Sequence, residues 1–201
     1  MSELFRAAIY ILQTLGQLYI FIVVLRFILQ MVRADFYNPI SQFVVRATHP
    51  LLMPMRKIVP GFGGLDLAAL VLALVLYMLL TSAVLALAGI APLALVFNIL
   101  LWSIISLAAI FFKIFFFALI IGVILSWVAP HSHNPAAALV RQLSEPALLP
   151  FRRLLPDLGG IDISPIFALL ALNLIDNFVL EAAARQTGLV GQLRALVSPF
   201  L

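Results

Sequence analysis

Lys113 and Asp176 are ionisable side chains set inside long apolar runs, Trp102–Val128 and Ser164–Ala184. At the centre of a bilayer each would cost about 2.5–3.5 kcal/mol, so an unpaired one is not expected. If the two runs are antiparallel helices, a rise of about 1.5 Å per residue puts Lys113 roughly 22 Å and Asp176 roughly 18 Å from the same end. At that similar depth they are expected to form an ion pair or share a polar cavity. Asn173, Asp176 and Asn177 fall on one helix face at i, i+3 and i+4. At an internal offset of 96 residues Lys113 aligns with Gln17, and Asn173 and Asn177 align with Tyr77 and Thr81. Polar side chains at matching depths predict a seam between two halves of the chain. Such a seam fits an ion or proton path, and it also fits interhelical hydrogen bonding with no transport role. Arg26 lies nearer the end of its own run and is expected to snorkel toward the headgroups.

No other constellation points to catalysis. The chain has no cysteine, which removes thiolate metal sites, iron–sulfur clusters and cysteine nucleophiles. His131 and His133 sit in a loop after Pro130 without a third ligand nearby, so a wet loop is expected there and no metal site. There is no phosphate-binding loop, no glycine-rich dinucleotide turn and no nucleophile elbow. The chain is expected to be no enzyme and to carry no cofactor.

The elements that hold these residues must be membrane spans. Apolar residues make up 65% of the 201 and charged residues 10%, with a mean hydropathy of +1.20. Soluble domains sit near about half apolar and a quarter charged, so lipid must be the solvent for much of this surface. Four runs are long enough to cross: about Ala7–Met31, Leu67–Leu87, Trp102–Val128 and Ser164–Ala184. The first is too long for a signal-peptide core. The strand alternation of a barrel is absent, and open strands are excluded in lipid. The stretch Ala88–Leu101 holds Gly89 and Pro92 and fits a turn followed by a tilted or interfacial helix start, or a fifth span. With four spans, Arg33, Arg46, Arg56, Lys57, Arg141, Arg152 and Arg153 share one side against Arg6, Arg185 and Arg194 on the other. That asymmetry predicts four spans, with the first group cytoplasmic and both termini outside. The net charge of +4 then faces an anionic leaflet, with no direct nucleic-acid partner.

A block between the spans occurs twice, at 38–70 and 134–166, with eleven identities in 33 ungapped positions. The chain therefore divides into two parallel tandem units, 1–92 and 93–201. Each unit carries a short amphipathic interfacial helix and a proline-rich turn between its spans. Asn38 and Asn134, each followed by proline, are expected helix N-caps. The first helix should place Ile40, Phe43, Val44 and Ala47 on its apolar face, with Ser41, Gln42 and Arg46 opposite. The second repeats this with Ala136, Leu139, Val140 and Leu143 against Arg141 and Gln142. Each helix either lies in the membrane surface or packs on the spans with its polar face wet. Then P-x-x-x-P-x-R-[KR]-x-x-P sets three prolines in eleven residues, which should break the helix into short bent segments. Arg56–Lys57 and Arg152–Arg153 are candidate contacts for lipid phosphates or a partner's carboxylates, or act only as a topology signal. Gly63–Gly64 and Gly159–Gly160 allow a tight turn. Asp66 and Asp162 are expected caps for the following spans, paired with Arg56 and Arg152.

The block resembles the YggT family of small bacterial inner-membrane proteins, through P-x-x-x-P-x-R-[KR]-x-x-P followed by G-G-[IL]-D-[IL]-[SA]. Gly159-Gly160-Ile161-Asp162-Ile163-Ser164-Pro165 fits best; unit one departs with Ala68-Ala69. The resemblance covers nearly the whole chain in its two-unit form. It implies a multi-pass bacterial inner-membrane protein involved in osmotic-stress tolerance, through uptake of potassium or another ion. Relatives linked to cell division, and plastid members that assist haem attachment to a cytochrome complex, imply instead a non-transporting scaffold. A pore built from four spans would require a homo-oligomer; a scaffold would require a membrane protein partner.

Overall fold

In the computed structural model, residues 3–61, 63–130, 132, 134–155 and 162–198 are described. Helix α1 covers Glu3–Met31, α2 Pro39–Ile58 and α3 Leu67–Leu87. A 3-10 turn at Pro92–Leu95 leads into α4, Val96–Val128, and α5 covers Pro135–Leu154. The chain then runs through α6 (Ser164–Leu174), a π-helical stretch (Ile175–Leu180), α7 (Glu181–Gln186) and α8 (Gly191–Val197). Four segments are long and apolar enough to cross a membrane: Glu3–Met31, Leu67–Leu87, Pro92–Val128 and Ser164–Gln186. The first and third begin earlier than the apolar runs suggested. Ala88–Leu101 is a turn and a helix start. The turn is a Schellman cap: Gly89 at φ +81° lets Ile90 N–H reach Leu85 O (2.9 Å), and Gly89 N–H reaches Ala86 O (3.0 Å).

α1 and α3 form the tightest hairpin. Gly16 makes this possible, since a Cβ there would stand 2.7 Å from Leu80 Cδ1. α4 packs on both α1 and α3 and joins the two units. Its Phe111 ring meets Phe27 at 6.4 Å and Phe115 at 5.1 Å between centroids.

The repeated helices differ from expectation in two ways. First, α2 continues through Pro50 and Pro54, and α5 through Pro146 and Pro150. A proline removes its own N–H and strands the carbonyl four residues back. At a spacing of four, both prolines lie on one face, and that face is exposed in both helices. The carbonyls of Arg46 and Pro50 therefore open toward water or headgroups, and the buried faces keep their packing. Second, the buried stripe of α2 is Ser41, Val44, Thr48 and Leu52, while Ile40 and Phe43 are exposed. The helix is rotated because Thr48 and the Val45 carbonyl are drawn to a buried arginine of α1. In α5 the expected face holds for Leu139 and Leu143, joined by Ala137, Ser144 and Leu148. The Asn caps form as expected: Asn38 Oδ1 accepts from Ile40 N–H (2.9 Å) and Asn134 Oδ1 from Ala136 N–H (2.9 Å).

The two blocks meet at one end of the bundle. Asn38 Nδ2 donates to Pro135 O (2.7 Å), and Asp35 N–H donates to Gln142 Oε1 (3.1 Å).

Candidate functional site

At the block end, each aspartate pairs with the arginine ten residues before it. Arg56 donates to Asp66, and Arg152 Nε donates to Asp162 Oδ2 (2.9 Å). Asp66 is the N-cap of α3 and accepts from Ala69 N–H (3.4 Å). At α6 the N-cap is Ile163, and Asp162, one residue before it, is not the expected cap but accepts from the first helical N–H, that of Ser164 (2.9 Å). The surroundings differ. The Asp66 side chain is 3% exposed and that of Asp162 is 44% exposed. The cause is Arg26. It does not snorkel: it is buried, donates to Val45 O (2.9 Å) and Thr48 Oγ1 (2.8 Å), and lies 4.0 Å from Asp66. Fixed acceptors on α2 hold its guanidinium inside the hairpin. In unit two Arg152 instead makes a two-oxygen contact with Glu145 (2.7 and 2.9 Å).

Burial alone would push the Asp162 carboxyl up, but hydrogen bonds from Ser164 and the Arg152 guanidinium outweigh it and hold it below the ordinary value. Burial alone would lower Arg152, and its bonds to Asp162 and Glu145 reverse that and raise it. Of the basic pairs, Arg56 and Arg152 are thus committed to these aspartates, while Lys57 and Arg153 are exposed. Gly63 and Gly64 turn the chain at φ +61° and +82°. Gly159, Gly160, His131 and His133 lie outside the described residues.

Deep in the spans, Lys113 Nζ lies 3.7 Å from Asp176 Oδ2. Asp176 stands in the π-helical stretch, a rare local geometry that recurs at functional sites. A groove of about 230 Å³ surrounds the pair, lined by Phe112, Phe116, Phe117, Leu172, Asn173 and Asn177. Asn177 Nδ2 donates to Asn173 O (2.9 Å) and Oδ1 (2.8 Å). This is not a seam between the units. Gln17 is buried in α1 and does not line the groove. The groove lies between α4 and the fourth span, and it opens sideways. The Lys113 and Asp176 side chains are 29% and 28% exposed. Only 11% of the fourth span is buried within the chain, against 39% of α3.

The aligned face of unit one is covered instead. Gln17, Tyr77 and Thr81 are all buried. Tyr77 donates to Val197 O (2.9 Å), and Gln13 Nε2 to Leu196 O (2.5 Å). α8, which the sequence reading did not anticipate, therefore folds back against this face. Ser106 of α4 and Ser198 also stand beside the Tyr77 hydroxyl. Among the described residues, the side chains of Gln17 (its Nε2), Thr81, Ser106 and Ser198 have buried polar atoms without hydrogen-bond partners. Gln13 and Ser106 were the missed signals, since each is a polar residue one or two turns from an aligned polar position.

The chain matches the CCB3/YggT family model twice, over residues 5–88 and 101–183. It is 61% identical over 187 residues to an uncharacterized protein of Pseudomonas aeruginosa, covering 93% of this chain and 95% of that one. An uncharacterized Vibrio alginolyticus protein is 37% identical over 171 residues, 85% of this chain and 91% of that one. The uncharacterized protein YggT of Escherichia coli is 34% identical over 172 residues, 86% of this chain and 88% of that one. No solved structure matches.

Proposed function

The chain belongs to the CCB3/YggT family and is a multi-pass membrane protein, and from that premise we propose that it is an assembly subunit that docks the transmembrane helix of a partner protein. The observation that carries this is the half-open Lys113–Asp176 pair on the least covered span. A charged pair and two asparagines facing hydrocarbon are costly, and polar side chains at that depth are the usual glue between membrane helices. The internal repeat supports the same reading. In unit one the aligned polar face already receives two elements, α4 and α8; in unit two it receives none among the described residues. The pair is formally neutral, so the occupant is a helix with an uncharged polar residue at mid-depth.

The setting is the bacterial inner membrane. Seven basic residues at the block end against three at the other support a reading with cytoplasmic blocks and external termini. There Lys57 and Arg153 face anionic headgroups.

A second reading, ion or proton permeation in osmotic adaptation, is favoured by the buried polar atoms around Tyr77 and by the uncompensated Asp176 Oδ1. One experiment separates the two. Purified protein in liposomes is assayed for potassium and proton flux beside Asp176→Asn. The assembly reading expects no flux that depends on Asp176; flux abolished by the substitution would replace it with permeation.

A further inference from the structure

The two repeats share a turn but fill it differently. In unit one the Arg26 guanidinium sits against Val45 O, Thr48 Oγ1 and Asp66. Ninety-six residues on, Thr48 becomes Ser144, Asp66 becomes Asp162 and Arg56 becomes Arg152, but Arg26 becomes Gly122 and His49 becomes Glu145. The acceptors survive. Ser144 is buried and donates to Val140 O (2.5 Å), as Thr48 does to Val44 O (2.7 Å). Its lone pairs are thus left for a donor, as those of Thr48 are used by Arg26.

The charge balance changes sign. Arg26, Arg56 and Asp66 sum to +1, whereas Glu145, Arg152 and Asp162 sum to −1. α5 also comes close to α4, since a Cβ on Gly122 would stand 3.2 Å from Ser144 Oγ. Beyond that contact a groove of about 770 Å³ stays open. Its walls are apolar, with Leu119, Trp127, Ile166 and Leu169 along α4 and α6. Its polar lining holds Glu145, Arg152 and Asp162, and also Arg141, which donates to Ser132 O (2.6 Å). Gly122 lies about 9 Å from the end of α4, near headgroup level. Carboxylates, a guanidinium and an apolar trough at that level match a zwitterionic lipid: a donor cation, a phosphate and acyl chains.

We propose that this groove binds an aminophospholipid. Its primary ammonium takes the place of the Arg26 guanidinium among Ser144, Glu145 and Asp162. Its phosphate faces Arg141, and its acyl chain lies along Leu119, Ile166 and Leu169. The site is separate from the Lys113–Asp176 groove and does not rest on the docking reading.

The test uses Trp127 as reporter, in a Trp102→Phe background that leaves it the single tryptophan. The protein is reconstituted in vesicles containing small fractions of brominated phosphatidylethanolamine, phosphatidylcholine or phosphatidylglycerol. The expected result is several-fold stronger quenching by the ethanolamine lipid than by either other lipid at equal fraction. Glu145→Lys, which supplies an ammonium from the chain itself, should abolish that preference, and Glu145→Gln should weaken it. The Glu145–Arg152 contact is half exposed, so its loss costs little stability and both variants are expected to fold, which thermal melting checks. Equal quenching by ethanolamine and choline lipids would overturn the requirement for a hydrogen-bonding ammonium. A preference for the glycerol lipid, or one that survives Glu145→Lys, would overturn the site.

Discussion

Asp66 and Asp162 are one repeated residue in two electrostatic settings. Asp66 is buried between Arg26 and Arg56, so Asp66→Asn strands two guanidinium groups, one of them deep. Breaking a buried pair costs about 3–5 kcal/mol. Asp162 is nearly half exposed, and an exposed pair is worth about 0–1 kcal/mol. Thermal melting in detergent should therefore show Asp66→Asn far less stable than Asp162→Asn; equal losses would contradict the role given to Arg26. The Asp162 pair also has a sign in pH. Its carboxyl is held below the ordinary carboxylate value by Ser164 and Arg152. Its contribution is thus fully present above that value and is lost as pH falls through the depressed one. In Asp162→Asn, the stability difference from the parent should be constant from neutral pH down to about 5 and shrink only in stronger acid. The arginine–aspartate pairings were legible in the sequence because both copies carry them at one spacing. The burial of Asp66 was not, because it depends on Arg26, which the repeat does not preserve.

At the scale of elements, helix–helix fit outweighs local propensity. Gly16 lets α1 meet α3 at Leu80. Gly16→Ala forces the Leu80 end to move, and overpacking of this kind costs about 1–3 kcal/mol. Adding Leu80→Ala should recover part of that loss, so the two substitutions should be clearly non-additive in a melting cycle. Arg33 ends α1 at φ +54°, a left-handed conformation that costs a side-chain-bearing residue about 1–2 kcal/mol. Arg33→Gly should accordingly raise the melting temperature. The four spans and both asparagine caps were readable from run length and from Asn-Pro. The continuity of α2 and α5 was not. Proline chemistry alone predicts a break, and only the packed faces show why two prolines on one exposed side are tolerated. The docking of α8 was equally hidden, since seven residues after a polar turn carry too little pattern to reveal a partner.

Taken as a whole, the molecule is a duplication whose copies have diverged in what covers them. Unit one wraps its polar mid-membrane face with α4 and α8. Among the described residues, unit two leaves the corresponding face, now charged, partly exposed. Run lengths and the aligned polar positions made that face visible in the sequence, but they suggested a seam between the units. The actual placement follows from α4 packing on α1 and α3 with the side opposite Lys113. If Lys113 and Asp176 act as a pair, the double exchange Lys113→Asp with Asp176→Lys should retain more assembly and stability than either neutralisation alone; equal damage from all three would remove the pair from the account.

The most direct measurement places a photo-reactive benzoylphenylalanine at Phe178, which is exposed on the fourth span, next in sequence to Asn177. A control carries it at Leu79, exposed on α3. After irradiation in native membranes, the docking account predicts one discrete protein adduct from position 178, identifiable by mass, lost in Asp176→Leu and absent from position 79. An adduct only with a second copy of this chain would make the face a self-interface. Labelling of lipid alone at both positions would contradict the claim that a partner helix covers the fourth span.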